Sequence, residues 1–230
     1  SSVPAVNKDF LQPNISAPPA EIIQATAKQQ LEYINSLIQT QLNDNRSVFI
    51  STPTIAGCGW LEDNITANTT VVLHSGLTKS YLVERWNNAV TSQDPVVIIG
   101  TPTFLSLPRA DIGHVIIAKE SDDAYKMTNR PFLDKAQFAR QFANGYKQQG
   151  VMSDRVLSTE TLWEYNEKDI TAQHQPTFTY HKDIDTELIN MADLPETNDS
   201  GVRVFSPELA RTLRTTSMNN KQAVLFVARS

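Results

Sequence analysis

Val71–Trp86 reads VVLHSGLTKSYLVERW, and Val96–Met127 reads VVIIGTPTFLSLPRADIGHVIIAKESDDAYKM. Apolar, β-branched runs at Val96 to Ile99 and Val115 to Ile117 alternate with a helical spacing of Tyr81, Leu82, Arg85 and Trp86. A strand buried on both faces carries an unbroken apolar run, and a helix returns the chain to the next parallel strand. The alternation therefore predicts βαβ units and an α/β fold, a parallel sheet flanked by helices.

Working outward, Leu31, Ile34, Leu37, Ile38 and Leu42 recur at helical spacing and predict an amphipathic helix over 27–44. A short apolar pair, Ile22-Ile23, precedes it. Ser47–Ser51 (SVFIS), Thr70–Leu73 and His114–Ile117 read as strands, and Thr78 as the N-cap of a helix running to about Val90. Phe138, Phe142 and Tyr146 stand four apart and predict a helix over 134–148 whose aromatic stripe faces the core. Arg155–Ser158 reads as a short strand, followed by a helix through Trp163 and Tyr165.

Four segments follow from this pass. Residues 1–19, with four prolines and no periodicity, read as an extended or disordered lead-in. Residues 20–170 form the α/β lobe, and the polar stretch 171–204 reads as a connector. Residues 205–230 open a second lobe: Ser206 at N-cap, Pro207 at N1 and Glu208 in the first turn start a helix, and Ala223–Val227 reads as a buried strand.

Composition removes several function classes. With 230 residues and 40% hydrophobic content the chain can bury one full core. Its net charge of −5 offers no global attraction for nucleic acid, so any such contact needs a local basic strip. Cys58 is the only cysteine, which excludes an intrachain disulfide and a multi-cysteine metal site; it is expected to be a buried, inert thiol. No stretch reaches the roughly 20 apolar residues of a membrane span. Residues 1–19 lack the apolar segment of a signal peptide, so a cytoplasmic location is the expectation and the five N-x-S/T sequons carry little weight. G-x-S-x-G and G-x-G-x-x-G motifs are absent. His174 and His181, with Asp183 and Asp185 nearby, are poorly spaced for zinc.

Leu73–Thr78 (LHSGLT) and Ile98–Thr101 (IIGT), followed by an apolar strand and an acidic motif, resemble the motor core of the PriA-like primosomal replication-restart helicases. The resemblance spans roughly 22–229 and includes Leu107-Pro108, an Ile112-Gly113 turn and Ser206–Leu209 (SPEL). It implies a RecA-like, P-loop-NTPase-like first helicase lobe and a role in replication restart. In the family it also implies ATP, magnesium and 3′–5′ DNA unwinding.

The positions that do chemistry depart from that pattern. A phosphate loop needs glycines for close backbone approach, a lysine for the phosphate oxygens and a hydroxyl for magnesium. The family has GVTGSGKTEVYL where Gln24–Asn35 reads QATAKQQLEYIN, so Gln30 replaces the lysine and Leu31 the threonine. The first glycine of the chain is Gly57. The acidic DEEH motif, whose carboxylates orient metal and water, appears as Ala118-Lys119-Glu120-Ser121, and the surviving Glu120 reads as a solvated or salt-bridged surface residue. VPEIAL appears as Thr52–Gly57, and the coupling motif GSATP as Leu157–Thr161. The expectation is a pseudo-helicase with no catalytic residue and no bound cofactor.

By the same resemblance, candidate contacts to single-stranded DNA are His74, Ser75, Gly76, Gly100, Thr101, Tyr125 and Lys126, with Phe132 as a second aromatic. Single-stranded or forked DNA and other replication-restart proteins are the expected partners, with no membrane. An active ATP-dependent helicase and a purely structural interaction module are the alternatives. His114 is expected to pack rather than to bind, and a turn held by hydrogen bonds and glycine geometry is the rival account of His74 to Gly76.

Overall fold

The apolar runs at Ile22-Ile23, Val48–Ile50, Val71–Leu73, Val97–Ile99 and Val115–Ile117 form strands, since a central parallel strand is bonded on both edges and buried on both faces. The computed structural model describes residues 19–167, 170–173, 188–190 and 205–225. The chain divides after Phe178 into two units, taken separately below.

The first unit runs β1 (Glu21–Gln24), α1 (Ala27–Asn43), β2 (Ser47–Ser51), α2 (Ile55–Asn64), β3 (Thr70–Leu73), α3 (Lys79–Thr91), β4 (Val97–Gly100), β5 (Ile112–Ala118), α4 (Lys135–Gly145), β6 (Gln149–Asp154), α5 (Thr159–Asn166) and β7 (Thr171–Ala172). The seven strands form one sheet in the order β3-β4-β2-β5-β6-β1-β7. All pairings are parallel. Strand C-termini therefore share one edge, where open α/β sheets bind ligands.

Side chains alternate between the two faces with period two. Ile22, Phe49, Leu73, Ile98, Val115, Ile117 and Met152 pack on one face with Ala89 of α3 and three alanines of α4. Ile23, Val48, Ile50, Val72, Val97, Ile99, Ile116 and Val151 pack on the other with Ile34 and Ile38 of α1 and Cys58 and Leu61 of α2. Cys58 is buried, and burial pushes its thiol up to about 11.

Several readings need correction. On α4 the core takes mainly the alanines, and of the aromatic stripe Phe142 packs against it. Ala136, Ala139 and Ala143 face the sheet, while Phe138 and Tyr146 are 43% and 56% exposed. Small residues let the helix approach closely, and periodicity alone cannot choose between alanine and phenylalanine at neighbouring spacings. Arg155–Ser158 is not a strand; β6 lies just before it, over a segment (QGVMSD) with one β-branched residue. α2 escapes a sequence reading because Gly57 and Gly59 depress its helix propensity. Ile112-Gly113 opens β5 rather than a turn, and Thr171–Ala172 of the polar connector pairs with β1 as β7. Thr78 occupies the N-cap of α3 without a side-chain capping bond.

His114 lies within β5, and its Nδ1 is buried with no hydrogen-bond partner. Burial pushes its pKa below the ordinary imidazole value; Glu21 opposes this and Arg46 adds to it. The unfolded chain then takes up the proton first as pH falls below about 6.5, so stability is complete above that pH and is lost as pH falls through the folded value. Urea midpoints measured between pH 7.5 and 5 are expected to fall less in His114→Asn than in the native chain. Equal slopes would remove His114 from the acid response.

In the second unit, α6 (Pro207–Met218) starts as its sequence predicts: Ser206 Oγ accepts from the Leu209 N–H at 3.0 Å, with Pro207 in the first turn. Ala223–Leu225 form no strand, and Val224 is exposed. Phe226 and Val227 lie outside the described residues, as do the histidines and aspartates of 174–185 and nearly all of the 1–19 lead-in.

Candidate functional site at the C-terminal edge of the sheet

Parallel strands carry several of the segments singled out from the sequence to the same edge. Ala25 and Thr26 form the turn after β1, and Thr52 follows β2. His74, Ser75 and Gly76 follow β3, and Gly100 and Thr101 end β4. Ala118 to Lys126 follow β5, and Asp154 to Ser158 follow β6.

The β1–α1 turn occupies the position of a phosphate loop in a strand–loop–helix unit, and its geometry is that of a closed helix cap. Only Ala25 and Thr26 separate strand from helix. The Thr26 N–H donates to Gln29 Oε1 at 3.1 Å, and the Gln29 N–H donates back to Thr26 Oγ1 at 3.5 Å, a capping box. Phosphate binding at a helix N-terminus needs such N–H groups free. Gln30 is likewise engaged at both ends of its amide: Nε2 donates to Ala25 O at 2.6 Å, and Oε1 accepts from Ser153 Oγ at 2.8 Å. The residue standing where the resemblance puts a lysine thus ties α1 to the turn before it and to β6. Leu31 offers magnesium no oxygen. The residues present do not fit a nucleotide triphosphate.

The loop after β5 is equally committed. Lys119 takes a left-handed backbone (φ 54°) and is exposed, and the Glu120 N–H donates to Ser153 O at 3.3 Å. Glu120 is not a surface residue as expected: it is 6% exposed. Its Oε1 accepts from Ser158 Oγ at 2.6 Å and Thr161 Oγ1 at 2.7 Å, and its Oε2 from the Ser158 N–H at 3.0 Å. Ser158 is also the N-cap of α5. The surviving carboxylate of the acidic motif therefore fixes the segment that resembles the coupling motif. Asp154 is occupied too, its Oδ2 accepting from the Ser121 N–H and Oγ at 2.9 and 2.8 Å.

Tyr125 leaves the list of candidate contacts. It is 1% exposed, and its hydroxyl is shared between Ser51 O at 3.0 Å and Ala118 O at 2.9 Å, bridging the ends of β2 and β5. Burial drives its phenol well above the ordinary value. Lys126 is exposed, and its Nζ pairs with Asp123 Oδ1 at 3.2 Å. Phe132 is exposed.

His74 to Gly76 and Gly100 to Thr101 do meet, on adjacent strands. His74 Nδ1 accepts from the Gly76 N–H at 3.1 Å, which fixes the turn, and Ser75 and Gly76 are exposed. Gly76 has a negative φ, so conformational freedom is not its reason; a Cβ there would crowd His74 at 3.2 Å. At Gly100 a Cβ would come within 3.0 Å of Leu73 O.

Between α1, α2 and the ends of β2, β5 and β6 lies a cavity of about 420 Å³ that sequence reading missed. Its walls come from five separate segments, and no local pattern marks them. Among the described residues, no group of three or more histidine, cysteine or acidic side chains could hold a metal ion. Nor, among them, is any helix long and apolar enough to cross a membrane.

No protein-family model matches the chain. Over 156 residues, 63% of the chain, it is 27% identical to the replication restart protein PriA of Rickettsia prowazekii (strain Madrid E). That segment is 24% of the relative's length, so the chain corresponds to about a quarter of it. Among solved structures it is similar to the C-terminal domain of S. cerevisiae Dbp5 bound to Gle1 and IP6, with a TM-score of 0.50 and 10% identity over 68% of this chain and 88% of that one. Domain 2 of the DEAD-box helicase Mss116p, bound to an RNA duplex, gives a TM-score of 0.47 at 11% identity over 69% of this chain and 64% of that one. The fold is the RecA-like fold of helicase domains.

Proposed function

We propose that this chain is a PriA-like helicase-core protein that serves DNA replication restart without hydrolysing ATP, binding DNA or a partner protein through the C-terminal edge of its sheet. The engagement of Gln30 carries the reading. Where a motor would hold a lysine for the phosphates, this chain holds a neutral amide already bonded to Ala25 and Ser153, beside a turn whose Thr26 and Gln29 N–H groups are tied up in a capping box. The likeness to PriA over the matched segment supports the setting. The exposed turn of Ser75 and Gly76, beside Thr101 on the neighbouring strand, is the part of the edge we assign to a DNA backbone.

Calorimetry tests this directly. Titrating magnesium-ATP to millimolar concentration, with a single-stranded oligonucleotide present, is expected to give no binding heat. Gln30→Lys is expected to remain silent as well, because one lysine restores neither the glycines nor the capped N–H groups. Titrating the oligonucleotide alone is expected to give binding that weakens steeply with salt, since phosphate contacts release counterions. Micromolar ATP binding would replace this reading with an active motor. Silence towards DNA at low salt would leave a partner protein as the ligand of the edge.

A further inference from the structure

The cavity beside α1 carries an inference of its own. It lies at the C-terminal edge of the sheet, and its volume of about 420 Å³ falls within the roughly 300–1,000 Å³ of small-molecule sites. Leu31 and Ile34 of α1, Trp60 and Leu61 of α2, and Ala118 at the end of β5 make its wall mostly apolar.

The polar groups lining it are largely spent inside the protein. Thr26 is in the capping box, both ends of the Gln30 amide are bonded, and Asp154 accepts from Ser121 and from the Arg155 N–H. Lys119 and Arg155 also line it; both are exposed, and neither is in an ion pair among the described residues. Two cations against the single carboxylate of Asp154 leave the lining with net positive charge. A polyphosphate would need a glycine-lined loop and a lysine, and this turn has a capping box and Gln30 instead. A ligand with an apolar body and one anionic head would satisfy both the wall and the two cations.

We propose that this cavity binds an amphipathic organic anion, an aliphatic or aromatic carboxylate, in the place where the resembled motors hold a nucleotide. The apolar body sits against Leu31, Ile34 and Leu61, and the carboxylate meets Lys119 and Arg155. The inference rests on the reading that this turn no longer takes ATP.

Decanoate is the probe, with decanol as its neutral counterpart, followed by calorimetry and by the fluorescence of Trp60. Decanoate is expected to bind more tightly than decanol. Each methylene removed from the acid is expected to weaken binding about fourfold, the transfer cost of one buried methylene. Lys119→Ser with Arg155→Ser, both at exposed positions, is expected to weaken decanoate about tenfold and leave decanol unchanged. Ala27→Phe, at the exposed start of α1 where it lines the cavity, is expected to abolish binding of both. No decanoate binding, with ATP also silent, overturns this inference alone. Acid and alcohol binding equally, or a double variant without effect, overturns it too. ATP that binds and displaces decanoate overturns both this inference and the loss of the nucleotide site.

Discussion

Tyr125→Ala is expected to lower the unfolding free energy by about 4 kcal/mol, within the range of a buried aromatic truncated to alanine. The side chain is 1% exposed and packs in the cluster on the α3–α4 face of the sheet. Its hydroxyl also bridges Ser51 O and Ala118 O, the last residues of two adjacent strands. Tyr125→Phe separates the two contributions. It keeps the ring and strands two buried carbonyls, at a cost of about 1–2 kcal/mol. Urea unfolding of the three proteins, with the slope checked for constancy, measures both. The pair also decides what the aromatic does. A stacking residue would lose DNA affinity on truncation and keep its fold, whereas a bridge between strand ends loses the fold first. An alanine variant as stable as the native chain would contradict the burial on which this account rests.

Glu120→Ala is expected to cost about 3 kcal/mol: a hydrogen bond to a charged group contributes about 1.5–3 kcal/mol, and the buried Thr161 hydroxyl loses its acceptor outright while the half-buried Ser158 donors can turn to water. Three donors converge on this carboxylate: the Ser158 N–H, Ser158 Oγ and Thr161 Oγ1. Two of them are on Ser158, the N-cap of α5, and the third is on Thr161 in its first turn, so the loss falls on the start of that helix. Amide exchange at Thr161 and Leu162 is expected to speed up well before global unfolding. Glu120→Gln is the discriminating variant. It keeps the shape but places an amide donor where only acceptors fit, so it is expected to recover no more than half of the loss. A motor's acidic residue would show itself differently, with fold intact and only ATP turnover altered. Glu120→Ala with unchanged stability would return the residue to that role.

Both residues look like relics of a motor when read as sequence and like joints of the fold when read as structure. Among the segments that resemble a motor, several of the matching residues are scaffold. Leu73 and Ile98 to Gly100 pack in strands, and Ser206 caps α6. The positions that depart from the resemblance are bonded within the fold, as Gln30 is to Ser153 and Ala25.

What could be read without coordinates was whatever leaves a local trace. Buried parallel strands announce themselves as apolar runs, and β2, β3, β4 and the body of β5 stand where those runs stand. α1 and α6 follow from periodicity and cap chemistry, since helix ends are satisfied by residues within one turn. That no glycine precedes Gly57 and that position 30 is glutamine are likewise local facts.

Strand order is not local. β1 pairs with β6, about 130 residues away, where Ile22 faces Met152, and no pattern within either strand specifies the other. The two apolar stripes of α4 are equivalent as sequence, and only the closeness of helix to sheet favours the alanines. The burial of Tyr125 and Glu120 and the cavity between α1 and α2 depend on loops from different strands arriving at one edge. Those are side-chain contacts across large separations in the chain, so they exist only once the sheet has formed.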